Sequence, residues 1–188
     1  MRRTLARFLL RTARWTVVGD APREGIVVAA PHTSNWDFVV MLLIMWQAEV
    51  PFRVLIKKEA FRGPLGRVLR RCGAIPVNRV QPVGLVRDLV RQADGDEPFL
   101  LIIAAEGTRR QGEYWKSGFY RIARRTGLPL VLAFVDGPTR TTGFGPTVVP
   151  TGDVRADMDR LRKFYADKHG LRPAWRTEPR LREEDRPQ

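Results

Sequence analysis

Three stretches of this chain are apolar almost without a break: GIVVAA at 25–30, FLLIIAA at 99–105 and PLVLAFVD at 129–136. Runs of that length without polar alternation match strands covered on both faces, and such strands belong to largely parallel sheets sandwiched between helices. The segments between them carry helical spacing, most clearly at 64–73, 83–94, 117–127 and about 154–169. The alternation predicts an α/β fold, a single domain with a mixed, mostly parallel sheet flanked by helices. Two shorter strands are expected at 52–57 and 74–78, and a helix from Asn35 to about Ala48. A turn-rich stretch is expected before Pro150.

The 188 residues, 44% of them hydrophobic, suffice for one core and leave little for a second domain. Residues 1–16 read as a basic amphipathic helix, with Leu5, Phe8, Leu9 and Trp15 at helical spacing among Arg2, Arg3, Arg7, Arg11 and Arg14. The pattern fits a surface helix packed on its own domain and equally one lying in an anionic bilayer interface. Residues 17–171 form the main domain, and 172–188, rich in proline and charge, read as a flexible tail. No apolar run is long enough to span a membrane.

The single cysteine, Cys72, excludes an internal disulfide framework and any multi-cysteine metal site, and suits a reducing compartment. The net charge of +13 favours an anionic partner, and its excess lies early: residues 1–79 hold 14 Lys and Arg against 5 Asp and Glu. A nucleic-acid binder is permitted by that charge, yet no basic strip interleaved with stacking aromatics is present.

The chemistry-bearing residues fall where the predicted strands end. His32, one of two histidines, lies on the loop between the strand ending near Ala30 and the helix starting near Asn35. With Ser34 as N-cap, Asp37 takes the N3 position of a capping box, which accounts for the aspartate without catalysis. Alternatively Asp37 holds one imidazole nitrogen and leaves the other free as a base. After the strand at 99–105 comes Glu106-Gly-Thr-Arg109, a turn whose amides, hydroxyl and guanidinium suit an anion, and equally a polar turn of no special purpose.

Together these stretches resemble the glycerolipid acyltransferases related to 1-acylglycerol-3-phosphate acyltransferase, the lysophospholipid acyltransferase family. His32-Thr-Ser-Asn-Trp-Asp37 matches that family's His-x4-Asp (HX4D) motif and Glu106-Gly-Thr-Arg109 its Glu-Gly-Thr-Arg motif, about 70 residues further on. Between them, GAIPVNR at 73–79 is similar to the third block, with Arg79 at the basic position, and GLPLVLAFV at 127–135 to the fourth. IKKEAFRGPLG at 56–66 resembles the lysine-containing segment and puts Lys57 at the matching position. Ala105 stands where the family pattern has proline, and Pro76 and Asn78 depart from the third block.

The resemblance implies a glycerol-3-phosphate acyltransferase-like fold over 17–171. It also implies transfer of a fatty acyl group from acyl-CoA or acyl carrier protein to a hydroxyl of a lysophospholipid or glycerophosphate. His32 would be the general base and Asp37 its orienting partner. Arg109, Arg79 and Lys57 would hold the acceptor phosphate, with Gly107 and Thr108 shaping the turn and Glu106 positioning donors. No metal and no cofactor beyond the acyl thioester co-substrate is implied. The same machinery acting on an acceptor without phosphate, such as a lyso-ornithine lipid, an amine or a secondary metabolite, is the main alternative. The expected location is cytoplasmic, peripheral on the inner face of the cell membrane, with contact through residues 1–16 and the apolar helix FVVMLLIMWQ at 38–47.

Overall fold

The computed structural model describes residues 1–77, 89, 91 and 98–185. Seven strands, β1 (Thr16–Val18), β2 (Gly25–Ala29), β3 (Arg53–Lys57), β4 (Ala74–Val77), β5 (Leu100–Ala104), β6 (Leu130–Asp136) and β7 (Thr141–Val148), form one sheet. Their spatial order is β1-β7-β6-β2-β5-β3-β4. Among the described residues, β6 and β7 are the antiparallel neighbours and the other pairs are parallel. The three long apolar runs are β2, β5 and β6, side by side at the centre, and their side chains are nearly all buried because helices cover both faces.

One face is covered by α1 (Arg2–Thr12), α2 (Asn35–Ala48) and α3 (Gly63–Arg71), which share a core with Val27, Val54, Ile102 and Val131. The other face carries α4 (Gly118–Thr126) and α5 (Val154–Tyr165), packed through Phe119, Ile122, Met158, Leu161 and Tyr165 on Ile26, Val28, Leu101, Leu130 and Leu132. The division follows from strand geometry, since successive residues of β2 point to opposite faces. No described helix is long and apolar enough to cross a membrane. The α1 helix buries Ala6 and Leu10 against the domain while Leu5, Phe8 and Leu9 remain exposed.

Two departures from the sequence expectation have physical causes. The stretch expected as turns contains β7, disguised by Gly143, Gly145 and Pro146. Gly143 is required there, because a Cβ would stand 1.9 Å from the Val18 carbonyl oxygen of the neighbouring strand. Phe164 of α5 likewise packs where Gly145 would carry a Cβ. The second departure is the tail. Residues 172–185 pack on the domain, with short 3₁₀ turns at Pro173–Trp175 and Arg182–Asp185. Leu181 is fully buried and pairs with Trp115, while Arg162 ties α5 to this segment through Glu184 and the Pro179 carbonyl. Leu181 anchors the tail while Trp175 stays exposed, and Arg176, Arg180 and Glu184 find charged partners.

The helix expected at 83–94 lies, apart from Leu89 and Arg91, outside the described residues, and so does Arg79.

Candidate functional site

The site grows from the register of two central strands. Ala29 of β2 pairs with Ala104 of β5, so the loops that follow leave the sheet side by side, at the carboxyl ends of parallel strands. That edge, where β2 lies between β5 and β6, is where open α/β sheets form their crevices.

On the β2 loop, Ser34 has an extended backbone and caps α2, its hydroxyl accepting from the Trp36 amide at 3.2 Å. The Asp37 carboxylate completes the capping box: Oδ2 accepts from the Ser34 and Thr33 amides, each at 2.6 Å. The same Oδ2 lies 3.4 Å from Nδ1 of His32. Asp37 is therefore the helix cap, and its cap-held Oδ2 also lies beside the imidazole. The cap immobilises the carboxylate, and the immobilised carboxylate faces the imidazole. Its other oxygen, Oδ1, is buried and has no hydrogen-bond partner among the described residues, whereas the imidazole is about a quarter exposed. An Nδ1 that faces a carboxylate leaves Nε2 as the nitrogen available for proton transfer.

On the β5 loop, Glu106 turns inward and is 1% exposed. Its Oε1 accepts the His32 backbone N–H at 2.6 Å, and its Oε2 has no hydrogen-bond partner among the described residues. Burial pushes the carboxyl above its ordinary value, opposed by the His32 amide, the charge on His32 and the neighbouring Thr177. Ala105, in place of the proline of the family pattern, is fully buried and its carbonyl accepts the Lys116 amide at 2.8 Å. The Gly107 amide bonds the Ala104 carbonyl at 3.1 Å, so backbone pairing holds this turn. Gly107 adopts the left-handed conformation (φ +66°) that the turn requires.

Beyond the turn, Thr108 and Arg109 are exposed, and the Arg109 guanidinium donates to the Asn35 side-chain carbonyl at the start of α2. That partner is neutral, and among the described residues no carboxylate pairs with the guanidinium. Lys57 ends β3, the next strand beyond β5, and is exposed at the same edge of the sheet. The fold thus brings His32, Asp37, Glu106, Gly107, Thr108 and Arg109 together, places Lys57 on the same edge, and leaves Arg79 outside the described residues. Among those residues no cluster of three or more His, Cys, Asp and Glu is arranged to hold a metal ion.

Three buried polar residues behind the site had no local sequence signal. Thr33 is fully buried and its Oγ1 accepts from the Arg172 amide at 2.9 Å. Thr177 accepts from the Gly112 amide through Oγ1 and from the Trp115 indole through its carbonyl. Asp136, at the end of β6, accepts from the His169 amide at 2.8 Å. His169 itself is exposed and lies beyond the end of α5 rather than in its last turn. Cys72 is half-buried at the end of α3, at the opposite edge of the sheet from His32.

A model of the acyltransferase family matches residues 14–141, which include both loops. No curated protein matches the chain significantly in sequence. Among solved structures, the chain is similar to the crystal structure of the 1-acyl-sn-glycerophosphate (LPA) acyltransferase PlsC from Thermotoga maritima. The TM-score is 0.58 and the identity 18%, over 88% of this chain and 74% of that one, which shows a shared fold. Residues 142–185 lie outside the family match and include the segment packed behind the site.

Proposed function

The chain belongs to the acyltransferase family, and from that premise we propose that it moves a fatty acyl group from an acyl thioester to a hydroxyl of a lysophospholipid or glycerophosphate. The thioester is acyl-CoA or acyl-acyl carrier protein. The observation that carries this reading is the pairing of His32 Nδ1 with Asp37 Oδ2 on a loop that is itself bonded to the Glu106-Gly-Thr-Arg109 turn.

A hydroxyl with a pKa far above neutrality is a weak nucleophile, so a base must take its proton as it attacks the thioester carbonyl. Nε2 of His32 takes that proton, and the C–S bond breaks as the ester forms. Asp37 stabilises the resulting imidazolium and holds its orientation. The proton then passes to the departing thiolate. Arg109 supplies positive charge for an acceptor phosphate, with Lys57 at the neighbouring strand end and Arg79 as the third basic group. The thiolate is a good enough leaving group for direct transfer, without metal or covalent acyl-enzyme.

The exposed Leu5, Phe8 and Leu9 of α1, set among arginines, suit contact with an anionic bilayer surface, where the substrate resides. We place the protein on the cytoplasmic face of the cell membrane on that ground.

A thiol-release assay tests the reading, using long-chain acyl-CoA or acyl-acyl carrier protein and a panel of acceptors with and without phosphate. Release that depends on a lysophospholipid or glycerophosphate and disappears in His32→Ala is the expected result. Release at the full rate without acceptor identifies a thioesterase instead. Release confined to phosphate-free acceptors moves the substrate class to amines or lyso-ornithine lipids.

A further inference from the structure

Behind the two loops lies a stretch of chain with no counterpart in the motifs, running from the end of α5 to Leu181. It is bound to the sheet edge at successive points. The Tyr165 hydroxyl lies 2.7 Å from the Val28 carbonyl oxygen, inside the core. The Asp136 carboxylate accepts the His169 amide, and the Gly137 amide donates to the Gly170 carbonyl at 3.0 Å. Arg172 then gives its amide to Thr33, and Thr177 receives Gly112 and Trp115.

Two of these points bear on reacting groups. Thr33 sits between His32 and the capping residue. Its amide donates to the Asp37 oxygen that faces the imidazole, and its hydroxyl is held by Arg172. Gly170 packs so closely on it that a Cβ there would stand 2.8 Å from Thr33 Oγ1 and 2.9 Å from its Cγ2. Thr177 lies against Glu106, the residue that receives the His32 amide. The chain on either side of the imidazole is thus bound from behind by one segment.

We propose that Gly170–Leu181 is a working part of the site, a strap whose contacts with Thr33 and Glu106 fix the distance between His32 and Asp37. Thr33 and Thr177 are on this view positioning residues for the acyl transfer, and the inference rests on the reaction proposed above. A misplacement of about 1 Å in a base can cost on the order of a hundredfold in rate, so a tether that touches no substrate still governs turnover. Loss of such a tether acts on kcat rather than on acceptor binding, because Arg109 and Lys57 lie outside it.

The test uses the full chain with Thr33 replaced by Val, which keeps the shape and removes the acceptor, and by Ser, which keeps the acceptor and removes the methyl. The tether requires Thr33→Val to lose about tenfold or more in kcat, with acceptor KM changed by less than about twofold, and Thr33→Ser to stay near wild type. Packing alone gives the opposite order, Ser worse than Val. Gly170→Ala, which crowds Thr33 and also strains a backbone held at φ +73°, is expected to behave as Thr33→Val does, and decides the matter where the valine variant does not fold. Wild-type kcat in folded Thr33→Val or Gly170→Ala overturns the strap, whereas absence of acceptor-dependent thiol release in the wild type overturns the underlying reaction.

Discussion

The backbone N–H of His32 donates to the Glu106 carboxylate at 2.6 Å, joining residues 74 positions apart in the sequence. The bond exists because Ala29 and Ala104 are paired in the sheet, so each strand delivers its loop to the same place. A charge buried beside the base is expensive unless it is used. Here the carboxyl group fixes the peptide that carries the imidazole.

Removal of the base is the first expectation. His32→Ala should lower kcat about a hundredfold to ten-thousandfold, the range that general-base catalysis supplies, and leave the fold intact because the side chain is partly exposed. Steady-state thiol release with a circular dichroism melt measures both. Turnover within a few-fold of wild type would remove His32 from the mechanism.

Asp37 caps α2 and also lies beside the imidazole, and the consequences of the two can be separated. Ser34→Ala removes only the cap hydroxyl, so stability should fall by about 1 kcal/mol while kcat drops no more than a few-fold. Asp37→Asn weakens the cap by a similar amount and also withdraws the charge facing Nδ1, so its kcat should fall far more than that of Ser34→Ala. Urea titration beside kinetics distinguishes them. Equal kcat losses in the two variants would reduce Asp37 to a helix cap.

Glu106 supplies the pH dependence. Its carboxyl is raised above the ordinary value near 4.5, so between that value and the folded-state one the native chain binds more protons than the unfolded chain. Stability from this group is therefore lost as pH rises through the folded-state pKa. Glu106→Gln should melt at or above the wild-type temperature at pH 7, the gap closing as pH falls toward 4.5, and yet turn over more slowly. A glutamine variant less stable than wild type at pH 7 by the same margin at every pH contradicts the buried-charge account.

The sheet and the first loop were legible for reasons this geometry makes plain. Strands β2, β5 and β6 are buried on both faces, so their apolar runs leave a local mark, and the Ser34 to Asp37 spacing is a local capping signal. Strand β7 was hidden because Gly143 and Gly145 answer to close neighbours, Val18 and Phe164, that no local pattern records. The strap was hidden because Thr33, Thr177 and Asp136 gain their partners only across the fold. Composition around Leu181 describes a solvated tail, whereas the buried Leu181 and the Arg162–Glu184 pair hold that segment against the domain.

Gly143 gives a test of the fold itself. A Cβ at 1.9 Å from the Val18 carbonyl oxygen meets backbone rather than a side chain that can swing away, so β1 must move. Gly143→Ala is expected to destabilise by about 1–3 kcal/mol or more and to loosen residues 16–18 first, as amide hydrogen exchange would show. Unchanged protection of Val17 and Val18 would mean that β1 is not held there.

Arg109 bears on the choice of acceptor. Its guanidinium contacts the neutral Asn35 carbonyl, which orients the fork, and no carboxylate among the described residues pairs with it. Lysine keeps the charge but not the planar pair of donors that meets phosphate. Arg109→Lys should therefore raise KM for phosphorylated acceptors about tenfold with kcat little changed, and Asn35→Ala should do so more weakly by freeing the fork. For an acceptor that lacks phosphate the same substitutions should change KM by less than about twofold. A matched pair of acceptors, identical but for the phosphate, makes the measurement. Equal KM changes for both acceptors would show that Arg109 shapes the turn and does not bind the phosphate.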